Sequence, residues 1–116
     1  MDHLPPGQIQ FEDFLKVDIR VGTIIAVEDR PDAKKPAYKL EIDFGEMGKK
    51  RSSAQITHHY RKEDLIGKQI IAVVNFPPKQ VGKLMSEVLV LGLPDENGMI
   101  VLLEPTKKIP NGSRMF

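Results

Sequence analysis

The chain has 116 residues, of which 41% are apolar and 28% charged, with a net charge of +1. That length suits one domain of ordinary size, and the composition excludes a disordered chain. The chain has no cysteine, which excludes disulfides, thiolate nucleophiles and cysteine-type zinc sites.

Residues 1–8 carry two prolines and a glycine and read as a loose lead-in to a domain over 9–116. The opening lacks a basic segment followed by an apolar one, and no apolar run could span a bilayer, so a cytoplasmic protein is expected. Phe11-Glu12-Asp13-Phe14-Leu15 spaces its apolar residues for a short amphipathic helix with acids in the first turn. From Val17 the period becomes two, which would put Val17, Ile19, Val21, Thr23, Ile25 and Val27 on one strand face, with a bulge or bend at Gly22. Arg30-Pro31-Asp32-Ala33 breaks this strand, and Lys34-Lys35-Pro36 continues as an exposed loop.

Tyr38, Leu40, Ile42 and Phe44 alternate with Lys39, Glu41, Asp43 and Gly45, the strongest strand signal in the chain. Gly45 to Gly48 reads as a hairpin turn into a third strand over 49–56. Lys62 to Leu65, stopped by Gly67, is a helical turn. The apolar run Ile70 to Val74 suits a strand buried on both sides and ends at Phe76-Pro77-Pro78. Val88 to Leu91 and Met99 to Leu103 read as two further strands joined by the turn Pro94 to Gly98. Five to six strands with a helical insert between the third and fourth predict an all-β chain: a five-stranded OB-fold Greek-key barrel with a short N-terminal helix.

No grouping in the sequence suggests catalysis. The adjacent His58 and His59 would point apart and chelate poorly, and no metal site is expected. Ser52-Ser53 has no glycine elbow, and Gly45 to Lys50 does not match a phosphate loop. Asp18, Glu28 and Asp29 read as strand-end charges. The chain is therefore expected to be no enzyme and to need no cofactor.

Binding residues carry more information. Tyr38 and Phe76 are two of seven aromatics. Phe76, beside two prolines at a strand exit, can form a rigid apolar shelf for a peptide side chain or a nucleobase. Charge is uneven: residues 33–83 hold 11 Lys and Arg against 5 Asp and Glu, a net +6. A basic middle attracts nucleic acid or acidic partners, or is a solvated surface. Lys39, Arg51, Lys79 and Lys83 would surround the shelf.

In their order and spacing, Asp18-Ile19-Arg20-Val21-Gly22, Pro31-Asp32-Ala33, Val73-Val74-Asn75 and Ser86-Glu87 resemble the tRNA-binding domain appended to some aminoacyl-tRNA synthetases. Phe11 to Phe14, Ser52 to Thr57, Asn75 to Pro78 and Ser86 to Leu91 are similar to its free-standing members, the CsaA export-related chaperones. That resemblance implies a homodimeric chaperone binding unfolded or precursor polypeptides in support of export, with the motor protein SecA as a partner. It implies peptide contacts at Ser53, Ala54, Gln55, Asn75, Phe76, Pro77, Pro78, Ser86 and Glu87, to which the aromatic reading above adds Tyr38. The alternative is a structure-specific tRNA-binding protein using Lys39, Arg51, Lys79, Lys83 and Ser86. Arg30 stands where the tRNA-binding pattern has histidine, Ala54-Gln55 where it has Gly-Leu, and Leu89 where it has methionine. These departures weaken the RNA reading.

Overall fold

The computed structural model describes residues 5–116; residues 1–4 of the expected lead-in lie outside the described residues. Pro5 to Gln8 form a turn closed by the Gln8 N–H on the Pro5 carbonyl at 3.1 Å. A short helix, α1 (Phe11–Leu15), follows, then β1 (Ile19–Asp29), β2 (Tyr38–Asp43) and β3 (Lys49–Ala54). A second helical turn, α2 (Lys62–Leu65), precedes β4 (Gln69–Val73). The remaining strands are β5 (Lys79–Val81), β6 (Leu84–Ser86), β7 (Leu89–Val90), β8 (Gly92–Pro94) and β9 (Ile100–Leu102). The main sheet has the order β3-β2-β1-β4-β7, with antiparallel neighbours throughout. It curls into a nearly closed five-stranded barrel, the OB-fold arrangement, with α2 inserted between β3 and β4 as expected.

β2 follows its alternation: Tyr38, Leu40, Ile42 and Phe44 are buried while Lys39, Glu41 and Asp43 are less so. Phe44, Leu40, Ile42, Ile24, Ile70 and Leu65 are the largest fully buried apolar side chains. Each contributes about 1.5–3 kcal/mol by leaving water.

β1 departs from expectation. The register shift falls between Ile24 and Ala26, and Gly22 stays in register opposite Ile70. Ile24 packs in the core cluster, while Ile19 and Val21 are buried outside it and Ile25 is exposed. Thus the expected face splits: Ile19, Val21 and Ile25 lie outside the core cluster, and the bulge at Ile25 breaks the period so that Val27 packs against that cluster. Gly22 serves close approach instead, since a Cβ there would meet Ile42 Cγ2 at 2.6 Å and Phe44 Cδ1 at 2.8 Å.

The last third also differs. Val88 to Leu91 does not pair with Met99 to Leu103 as one hairpin. Leu89 and Val90 pair with β4, whereas β8 and β9 form the hairpin. A second hairpin, β5–β6, had no counterpart in the sequence reading. It turns at Gly82, whose φ of +63° suits glycine at the first position of a two-residue loop.

Candidate ligand-binding groove

The barrel is sealed between β3 and the 86–88 segment by side chains as much as by main chain. The Arg51 N–H donates to Glu87 Oε1 at 3.0 Å, and the Glu87 N–H donates to the Arg51 carbonyl at 2.8 Å. The Ser53 N–H donates to Ser86 Oγ at 3.1 Å. Ser52, almost fully buried, donates its hydroxyl to the Val88 carbonyl at 3.0 Å. The run of small hydroxyls thus lets the chain approach closely while every seam donor finds an acceptor.

Arg30 locks the neighbouring loops. Its residue is only 7% exposed. Its guanidinium donates to Ser53 Oγ at 2.9 Å, Asp32 Oδ2 at 2.8 Å and the Val81 carbonyl at 2.6 Å. One side chain therefore ties β3, the loop after β1 and the β5–β6 hairpin. Asp32 also accepts the Lys83 N–H at 3.1 Å. That bond, with the Arg30 guanidinium, holds the Asp32 carboxyl below its ordinary range. A Cβ at residue 82 would meet Arg30 Nη2 at 2.8 Å, so Gly82 leaves room for the clamp. In the sequence Arg30 opens a strand-breaking segment and departs from a family pattern, and the Arg-x-Asp spacing is the one local signal of its clamp.

Beyond this seal the seam opens into a groove of about 480 Å³. Phe76, Pro77 and Leu89 form apolar walls, while Ser53, Gln55, Ser86 and Glu87 supply polar groups. Phe76 is 51% exposed and Leu89 50% exposed. Two depressions adjoin it and share Ser53 and Gln55. One, about 380 Å³, includes Ala54, Ile56, Val90 and Leu102. The other, about 360 Å³, includes Lys34, Lys35, Ala37 and Val81.

Six of the ten residues expected to contact peptide line the main groove, and Ala54 lines an adjoining depression. Tyr38 does not reach it: the residue is 8% exposed in the core, and its hydroxyl donates to the Tyr60 carbonyl at 2.9 Å. Its place in the β2 alternation turns it inward. Asn75 is a tether rather than a wall. Its side-chain carbonyl accepts the Asp18 N–H at 2.9 Å and its amide donates to the Lys16 carbonyl at 2.7 Å. Pro78 is exposed outside the groove lining. Lys79, Val81, Val88 and Leu89 complete the lining, and of these only Lys79 is an expected ligand contact, to RNA.

The cations expected to meet RNA are unequal. Lys39 lies 3.8 Å from Glu28 and Arg51 lies 3.5 Å from Glu87. Lys79 and Lys83 have no ion-pair partner among the described residues. Ser86 Oγ is engaged in the seam. His59 is paired rather than free: its Nε2 lies 2.7 Å from Asp95 Oδ2, clipping the β8–β9 turn to the loop before α2.

A larger opening, about 660 Å³, lies elsewhere, around Thr23, Gln69, Lys107 and Asn111. Its central polar groups already satisfy one another: Thr23 Oγ1 and Gln69 Nε2 both donate to Asn111 Oδ1, at 2.8 and 3.1 Å. The open groove, with apolar walls and an exposed Gln55 that bonds nothing among the described residues, is the better recognition surface.

Comparison with known proteins agrees with this architecture. Residues 19–114 match the family described as "Putative tRNA binding domain". The crystal structure of chaperone CsaA from Bacillus anthracis str. Ames is 55% identical with a TM-score of 0.90, covering 95% of this chain and 100% of that one. The CsaA chaperone protein from Picrophilus torridus is 54% identical with a TM-score of 0.87, covering 94% of this chain and 100% of that one. A methionine–tRNA ligase of Porphyromonas gingivalis is 37% identical over 107 residues, which is 92% of this chain but 15% of the ligase. The chain therefore spans a small part of the length of its synthetase relatives. No helix among the described residues is long and apolar enough to cross a membrane.

Proposed function

The chain belongs to the tRNA-binding-domain family, and on that premise we propose that it is a molecular chaperone of the cytoplasm, holding unfolded or precursor polypeptides in support of protein export. It grips its client without chemical change and is no enzyme. The observation that carries this reading is the Phe76–Leu89 groove, apolar along its walls and half-exposed at both anchors. Such a surface takes an apolar side chain of an extended chain without demanding one sequence. The 55% identity to the chaperone CsaA of Bacillus anthracis supports the same direction.

The working unit is a homodimer. α1 buries none of its residues, and Phe11 is 64% exposed. Arg114 donates to the Leu15 carbonyl at 2.6 Å, which brings the exposed Met115 to the same region. Exposed apolar side chains grouped at α1 and the tail favour cover by a second copy. SecA is the proposed receiver of the client.

A second reading, tRNA binding, rests on the family match and on the basic middle of the chain. Salt separates the two. Fluorescence anisotropy with reduced, carboxymethylated α-lactalbumin should give an affinity that changes less than about threefold between 50 and 200 mM salt, because apolar burial is not screened. Binding of bulk tRNA through several phosphates would fall steeply over the same range. No binding of the denatured protein, with salt-sensitive binding of tRNA, would replace the chaperone reading by the RNA one.

A further inference from the structure

Resting on the polypeptide-holding reading, we infer that the client is held through its main chain as an added β-strand at the end of β3, along Ser53 and the Gln55 that follows the strand. Alternate residues of a strand present their N–H and C=O to opposite neighbours. The N–H groups of Arg51 and Ser53 point away from β2, because they bond Glu87 and Ser86 instead. Gln55 is the next residue in that alternation. Neither its N–H nor its C=O is hydrogen-bonded among the described residues, and the Ser53 carbonyl accepts only a 3.5 Å contact from the Ser52 hydroxyl. A bare edge of this kind is a template for another strand.

The surroundings suit that occupant. The three depressions converge on Ser53 and Gln55. Side chains leaving a strand alternately to either side would therefore find one apolar slot against Phe76 and Leu89 and others beside it. The rim is also charged for a particular chain. Lys34, Lys35 and Lys79 line it without an ion-pair partner among the described residues. The nearby acids Asp32 and Glu87 are already paired with Arg30 and Arg51. The favoured occupant is an extended apolar segment flanked by an acidic residue. Main-chain pairing explains how one groove accepts many sequences.

The test uses overlapping nonapeptides tiled across reduced, carboxymethylated α-lactalbumin and titrated against the intact protein. The tightest nonapeptide is then N-methylated at one amide at a time. Strand addition predicts that methylation at alternating positions weakens binding at least tenfold, while the positions between change it less than twofold. Gln55→Pro, which removes the edge donor, should weaken the unmodified peptide at least tenfold, and at least fivefold more than Gln55→Ala, which removes only the side chain; equal losses in the two variants would assign the contact to the side chain and overturn strand addition. A thermal melt within a few degrees of the parent certifies the proline variant; if it fails to fold, the methylation scan decides alone. A flat scan with binding intact overturns strand addition and leaves the chaperone reading standing. Failure of every nonapeptide and of the parent polypeptide to bind overturns both. A peptide affinity that falls as protein concentration rises gives the edge to a second copy of this chain and also overturns the proposal.

Discussion

The seam has two halves that follow opposite rules, one along β3 and one just past its end at Gln55. From Arg51 to Ser53 the seam is stapled by Ser86, Glu87 and Val88, and Arg30 is packed behind it. Two residues on, Gln55 bonds nothing among the described residues and faces half-exposed Phe76 and Leu89 across the groove. The first half supplies stability and the second half leaves recognition groups unsatisfied. Rigidity in the sealed half is what keeps the open half from collapsing onto its own edge.

That contrast can be broken at several points. The deepest is the core under the sealed half. Phe44→Ala, at a fully buried site, should cost about 3–5 kcal/mol in denaturant unfolding and destroy both halves together. Arg30→Met should cost about 3 kcal/mol, because it strands the Ser53 and Asp32 partners of a buried guanidinium. Its sharper signature is a loss of client binding in excess of the loss of folded protein, since β3 and the β5–β6 hairpin are no longer tied.

Phe76→Ala reverses the pattern. A half-exposed Phe leaves about 100 Å² for a ligand to cover, worth about 2 kcal/mol, so affinity should fall about tenfold or more. Stability should move by less than about 0.5 kcal/mol, because nothing in the core depends on it. An equal loss of stability and binding would merge the two halves.

The smallest effect is that of acid. The Arg20 guanidinium holds the Asp18 carboxyl below its ordinary range, and the Lys83 N–H does the same for Asp32. The folded state therefore releases these protons more readily than the unfolded chain. Their stabilisation is complete above the ordinary carboxylate pKa of about 4 and is lost as pH falls through the lower folded values. Unfolding midpoints should be level from pH 7 to 5 and drop below about 4, and Asp32→Asn should make that drop shallower.

Much of the barrel was legible because β2 repeats with period two and the run after Gln69 is wholly apolar. β1 misled because Ile24 and Ile25 are both apolar, so sequence alone cannot say which is the bulged residue. The β5–β6 hairpin was missed because its strands are three residues long and largely polar. Phe76 and Pro77 were legible as a stiff strand exit. Tyr38 was misplaced although its own alternation with Leu40 pointed inward. The Arg30 clamp was illegible for a different reason: its partners Ser53 and Val81 are 23 and 51 residues away, so only the closed barrel reveals them.

The most direct test follows backbone amides by NMR during titration of the isotope-labelled chain with the tightest nonapeptide. The amides of Gln55, Phe76 and Leu89 should shift strongly, while Arg51 and the residues around Asn111 stay in place. Dominant shifts around Gln69 and Asn111, or none beside Gln55, would contradict a client held at the open half of the seam.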